Sequence, residues 1–184
     1  RIKLQLETLK KELKSIYNTT FEREEGKYII RKDTNSKLNM DFFRQLKDNE
    51  CTFENKYKYE LDNHNFRSRF EMTTAGIIKD LHINCKYDSG IHLYLSKDFT
   101  DFVLAFPEFN RCVFYEIMGM LDNINYAERN SKKLENYSLS GYYLGQDVFI
   151  LGSGENSMPN DEIIKQSIIN IVNHLCTKYV IRKY

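Results

Sequence analysis

The segment after Asn160 most restricts what this chain can fold into. Ile163, Ile164, Ile168, Ile171, Val172, Leu175, Cys176 and Tyr179 recur at helical spacing and form a wide apolar stripe. A helix of this kind needs a surface to cover, so the chain must build a sheet or bundle beneath it. Asn160 suits the helix cap, Asp161 and Glu162 suit its positive end, and Lys178, Arg182 and Lys183 suit the other end. The 184 residues, with 13 Tyr and 12 Phe, hold enough apolar material for one packed domain rather than a disordered chain.

Upstream, two stretches alternate with period 2. Cys51, Phe53, Tyr57, Tyr59 and Leu61 share one face, and Thr52, Glu54, Lys56, Lys58 and Glu60 the other. Asp62-Asn63-His64-Asn65 reads as a turn, and Phe66, Phe70 and Met72 then alternate with Arg67, Arg69 and Glu71. Leu81 to Tyr87 and Ile91 to Leu95 read as a second hairpin across Asp88-Ser89-Gly90. Asn39 to Lys47 reads as a short helix. Pro107 starts a second one through Phe109, Val113, Phe114, Ile117, Met120, Leu121 and Ile124. Ala127 to Asn136 reads as an exposed loop, and Tyr142 to Leu151 as a strand with a bulge at Gly145. The predicted class is α+β: an N-terminal heptad helix, then a four-stranded antiparallel meander packed against helices.

Ile2, Leu6, Leu9, Leu13 and Ile16 are spaced four, three, four and three, an a/d seam over two heptads. Such a seam is either an oligomer or partner interface or a helix folded onto its own domain. Residues 1–17 therefore form an amphipathic or coiled-coil helix, and 18–184 a single α+β domain.

The chemistry-bearing candidates are sparse. The four cysteines, Cys51, Cys85, Cys112 and Cys176, show no metal or redox spacing and read as reduced thiols of an intracellular protein. The four histidines form no ligand pair, so no metal and no cofactor are expected. Leu151-Gly152-Ser153-Gly154-Glu155-Asn156-Ser157 lacks the third glycine and the lysine of phosphate loops and reads as a plain turn. A metal-dependent nuclease needs an acid and then Glu-x-Lys on the next strand. Asp88 with Leu95-Ser96-Lys97 imitates the spacing, but Leu95 stands where the carboxylate must be. Lys56, Lys58, Arg67 and Arg69, with Tyr94 nearby, form a possible nucleic-acid face, phosphates on the cations and bases on the ring. Glu54, Glu60 and Glu71 share it, and the net charge of +1 argues against a strongly cationic binder. No apolar run approaches the length of a membrane span.

The order of heptad helix (Ile2 to Ile16), helix, four strands (Cys51 to Ser96) and packing helix (Pro107 to Ile124) resembles an RWD-type head on a coiled-coil stalk. That resemblance implies a docking module. The Tyr-Pro-x-x-x-Pro turn of such heads is absent, with only Phe106-Pro107 near its place. The same strands followed by a helix also resemble single-strand-binding coactivator folds. The expected function is a non-enzymatic interaction or scaffold domain, dimerising or docking on a protein partner. The alternative is a nucleic-acid-binding regulatory domain.

Overall fold

The structure, a computed structural model, describes residues 28–50 and 58–182. The heptad seam Ile2–Ile16, Lys56 and Lys183 lie outside the described residues. The described chain is α+β. Its elements are β1 (Tyr28–Ile30), α1 (Met40–Gln45), β2 (Tyr59–Leu61), β3 (His64–Phe66), α2 (Arg69–Asp80), β4 (Asn84–His92), β5 (Lys97–Phe106), β6 (Arg111–Met118), α3 (Ile124–Leu139), β7 (Val148–Gly152), α4 (Asp161–Tyr179) and β8 (Val180–Arg182).

The main sheet has the order β4-β5-β6-β7. β4, β5 and β6 are antiparallel neighbours, whereas β6 and β7 are parallel and joined by the α3 crossover. The sheet is mixed, which corrects the all-antiparallel expectation. On one face, Phe102, Leu104, Val113, Tyr115 and Ile117 pack with Phe70 and Ile78 of α2 and Ile164, Ile168, Ile171 and Leu175 of α4. On the other, Val103, Cys112, Phe114 and Val148 pack with Leu38, Leu46 and Tyr137. The terminal helix thus covers the sheet, as its stripe requires, and Asn160 caps it by accepting from Ile163 N–H. Two small ribbons, β1–β8 and β2–β3, flank this core.

Five sequence expectations are corrected here. The stretch Phe66–Met72 is not a strand: Ser68 and Glu71 form a capping box, and α2 starts between them. The β2–β3 turn is also tighter than expected, with Tyr59 opposite Phe66. Asp88-Ser89-Gly90 is not a hairpin loop but lies buried or half-buried inside β4, and the turn falls between His92 and Lys97. Pro107–Phe109 is a single 3₁₀ turn, closed by Asn110 at φ 53°, and the residues after it form β6 rather than a helix. Every residue of β6 is buried, so both faces are covered and the alternation of a half-exposed strand disappears from the sequence. Ala127–Asn136 is helix, part of α3, whose narrow contact stripe and otherwise solvated surface give the sequence little helical period. With a strand where the packing helix was expected, the order on which the RWD and coactivator resemblances rested is not the observed one.

The helical reading of residues 68–80 has a direct check. Ser68→Ala removes the acceptor for Glu71 N–H and is expected to cost about 1 kcal/mol in urea denaturation. No loss would contradict the cap.

Candidate active site

A cleft of about 900 Å³ opens at the C-terminal ends of the parallel pair β6–β7, where the first turns of α2 and α3 converge from opposite faces of the sheet. Open sheets commonly bind ligands there. Its deepest lining residues are Glu71, Asp101 and Glu116, all buried, while Arg69 and Arg129 at its mouth are exposed.

Packing places each of these groups. Asp101 precedes Phe102, which pairs with Tyr115 of β6, and Glu116 follows Tyr115. The two carboxylates are therefore cross-strand neighbours. Asp88 lies on β4 between Tyr87 and Ser89, which pair with Phe102 and Thr100, and its φ of 51° departs from the regular strand pleat. On α3, Tyr137 packs its ring 5.1 Å from Phe114. Lys133 lies one turn earlier on the same helix face, so the contact that seats Tyr137 also carries Lys133 toward the sheet. Its ammonium donates to Glu116 at 2.7 Å and to the Phe99 carbonyl at 2.7 Å, and the Tyr137 hydroxyl donates to Glu116 at 2.5 Å.

The other side is built by Arg67 and α2. The Arg67 guanidinium lies 2.5 Å from Asp101, 3.3 Å from Glu71 and 3.7 Å from Asp88. Tyr87, its ring between Phe66 and Phe102 at 4.8 and 5.2 Å, donates its hydroxyl to Glu71 at 2.8 Å. Asp101 uses its second oxygen to accept from Ile117 N–H at 2.8 Å. At the cleft wall, Ser153 Oγ is shielded from solvent and has no hydrogen-bond partner among the described residues. Unsatisfied polar atoms at a cleft are places for a polar ligand or water to complete.

Glu116 is 1% exposed, and burial pushes its carboxyl up to about 7 against the opposing pull of Lys133. Burial also raises Glu71, to about 6, helped by Asp101 and opposed by Arg67. Lys133 is pulled down by burial, but Glu116 and Asp101 outweigh this and hold it above the ordinary amine range. Carboxyls displaced toward neutrality in a cleft suit proton transfer at working pH. Among the described residues, no group of three or more His, Cys, Asp or Glu stands ready to hold a metal ion. Arg67 and Lys133 already sit on the carboxylates.

Of the residues singled out in the sequence, Arg67 and Arg69 line the cleft. Lys58 is exposed beside β2. Tyr94 is exposed in the β4–β5 turn, its N–H on Ser140 Oγ, at the end of α3 away from the cleft. The glycine-containing loop Ser153–Asn156 forms part of the cleft wall. Its Gly154 N–H is used on Ser157 Oγ and its Glu155 N–H on Asp122, so neither awaits a phosphate. The acid pattern sought at Asp88 and Leu95 occurs one strand later, with Asp101 on β5 and Glu116 on β6. Met118 holds the Glu-x-Lys lysine position, and Lys133 supplies the ammonium from α3. Ser68-x-x-Glu71 was a readable signal for the helix start, whereas nothing local marks Lys133.

The raised carboxyls set a pH dependence. Folded Glu116 keeps its proton where the unfolded chain has released it, so stability is greatest below the ordinary value of 4.5 and falls as pH rises toward about 7. Tm is expected to decline across that window, with Glu71 adding to its lower part, and Glu116→Gln is expected to flatten the upper part. A Tm that climbs from pH 4.5 to 7 would mean that pairing with Lys133 outweighs burial.

In comparisons with family models, curated proteins and solved structures, nothing matches this chain.

Proposed function

We propose that this chain hydrolyses phosphodiester bonds in nucleic acid with the help of a divalent cation. The observation that carries the reading is the meeting of Asp101, Glu116 and Lys133 inside a cleft whose mouth bears exposed arginines. Magnesium binds through one or two carboxylates together with substrate phosphate oxygens and water, and Asp101 and Glu116 would be its protein ligands in exchange for contacts they now make to Arg67 and Lys133. Such an ion would polarise the phosphoryl group and acidify a bound water. Lys133, fixed by Glu116 and the Phe99 carbonyl, adds positive charge where the transition state gathers negative charge. Arg69 and Arg129 hold the flanking phosphates. In the reaction, water oxygen bonds to phosphorus as the ester P–O bond breaks. The water proton leaves through a cleft carboxylate to solvent, and the departing alkoxide takes a proton from solvent. The near-neutral overall charge restricts electrostatic binding to this local rim, which keeps the nucleic-acid reading compatible with the composition.

Labelled single- and double-stranded DNA and RNA, incubated with Mg²⁺ or Mn²⁺, test the proposal. Cleavage is expected only with the ion, and Asp101→Asn or Glu116→Gln should each reduce it on the order of a hundredfold or more. Lys133→Met should reduce kcat more than KM. Absence of cleavage on all four substrates with either ion would reject the activity.

The heptad seam supports assembly as a second reading, in which Ile2, Leu6, Leu9, Leu13 and Ile16 join two copies or a protein partner. Light scattering on the chain and on a version starting at Asn18 tests it. A dimer that becomes a folded monomer supports the seam as an assembly device, and an unchanged mass removes self-assembly through it.

A further inference from the structure

We propose that a second cleft, at the Arg111 end of β6, binds single-stranded nucleic acid. Arg31, Lys32, Lys37 and Lys178 would take its phosphates, and the ring of Tyr143 would stack on a base. The proposal goes beyond the cleavage reading and needs no metal ion.

This cleft, of about 580 Å³, lies between the segment after β1 and the turn that joins α3 to β7. Arg111 to Ile117 is about 20 Å along a strand, so it is separate from the cleft at Glu116. Among its lining residues, five cations (the four above and Arg111) stand against two carboxylates, Asp33 and Asp147. That excess of three positive charges sits in a chain whose formal net charge is only +1. Both carboxylates are engaged inside the protein. Asp147 accepts from the Arg111 guanidinium at 2.7 Å and from Tyr143 N–H at 3.0 Å. Asp33 accepts from the Tyr179 hydroxyl at 2.5 Å and from Asn35 and Ser36 N–H at 2.9 Å, and lies 3.9 Å from Arg111 Nε. The buried Arg111 is thereby balanced where it stands. The other four cations are exposed, and none forms an ion pair with a described residue. In the first cleft, by contrast, Arg67 and Lys133 are matched by carboxylates. Unneutralised like charges gathered in a concave site attract an anion.

The backbone beneath these cations is fixed. Arg31 N–H donates to the Tyr179 carbonyl at 2.7 Å, tying it to the residue after Lys178. Asp33 N–H donates to the Phe109 carbonyl at 2.7 Å, and Cys112 N–H to the Leu38 carbonyl at 2.9 Å. Arg111 donates to Ser36 and to the Leu38 carbonyl, so the buried guanidinium pins the segment that carries Lys32 and Lys37. On the facing wall, the Tyr143 carbonyl accepts from Gln146 and Asp147 N–H at 3.2 and 2.8 Å, yet the residue is 58% exposed. Tyr142 beside it packs edge-on to Phe114 at 5.2 Å and anchors the turn. An exposed ring on a fixed backbone is a platform for an unpaired base, with cations nearby for the phosphates. A duplex keeps its bases stacked inside, so the ring selects a single strand.

Fluorescence anisotropy of a labelled oligothymidylate of about 12 nucleotides, with the full chain in EDTA, tests this without cleavage. Binding is expected to fall with salt with a log–log slope of about −3, four phosphate contacts at ~0.7 each. Lys32→Glu with Lys37→Glu is expected to weaken binding at least tenfold and to shrink the slope by about half. Tyr143→Ala is expected to weaken it about fivefold or more with the slope unchanged. Lys47→Glu with Lys58→Glu makes the same charge change outside both clefts and is expected to cost far less. Thermal melting reports that each variant is folded. No binding at low salt, equal binding of a duplex of the same length, or an equal loss in the Lys47 and Lys58 variant overturns the proposal. A loss seen only in Arg69→Glu with Arg129→Glu places the strand in the first cleft and overturns it too. Binding with the expected variant pattern but no cleavage with Mg²⁺ or Mn²⁺ supports this site and rejects only the phosphodiesterase reading.

Discussion

β6 is buried along its whole length yet carries a charge near each end, Arg111 and Glu116, each 1% exposed. Neither charge is tolerable alone in such a place, because an unpaired buried ion costs several kcal/mol (about 3–5 on loss of one partner). Arg111 is met at 2.7 Å by Asp147, just before β7, and Glu116 at 2.7 Å by Lys133, from the middle of α3. Both partners thus come from the crossover that joins β6 to β7. The two pairs hold that crossover at both ends of the strand, and the hydrophobic contacts of Tyr137 and Phe114 lie between them. The parallel pairing of β7, and hence the cleft at its end, follows from this arrangement.

Legibility in the sequence varied with how much of an element faces water. α4 was readable to its cap because one stripe is buried and the rest is solvated. α1 was expected over Asn39 to Lys47 and spans Met40–Gln45, with Asn39 outside it as the cap whose side chain accepts from Asp41 and Phe42 N–H. β6 was not readable, because a strand covered on both faces loses its period and Arg-Cys-Val-Phe-Tyr-Glu-Ile-Met is compatible with a buried helix. α3 was misread for the opposite reason: it is polar around most of its circumference, and Lys132-Lys133 looked like ordinary solvated charge. The candidate site suffered from both errors. Glu116 lay in a supposed helix and Lys133 in a supposed loop, so their meeting had no expression in local pattern. Arg67 and Arg69 were noticed as basic residues, but on a strand face that the Ser68 capping box excludes.

The buried carboxylates also explain why the cleft is polar at its base. Asp88, Asp101 and Glu116 occupy neighbouring positions on three adjacent strands, an arrangement that repels itself unless cations enter. Asp88 has a reason in the backbone, because its φ of 51° is a conformation that Asp tolerates and Leu or Val does not. At Asp101 and Glu116 packed apolar groups in place of buried ion pairs are often neutral or stabilising, so the fold does not call for acids at those two positions. Their cost in stability makes sense where they carry chemistry.

The two ends of β6 differ in the sign of the charge they bury, not in whether that charge borders a cleft. Arg111 donates to Ser36, to the Leu38 and Gln146 carbonyls and to Asp147, while its Nε is shielded from solvent, has no hydrogen-bond partner among the described residues and lies 3.9 Å from Asp33. It lines a cleft of about 580 Å³ with the exposed Lys32 and Lys37. At the other end, Glu116 and Lys133 share the larger cleft with Asp101 and Arg67. A guanidinium stays charged wherever it is buried, so Arg111 can only hold its acceptors in place. A buried carboxyl pushed up to about 7 can take up and release a proton near neutral pH, and that is why the Glu116 end is the one suited to chemistry.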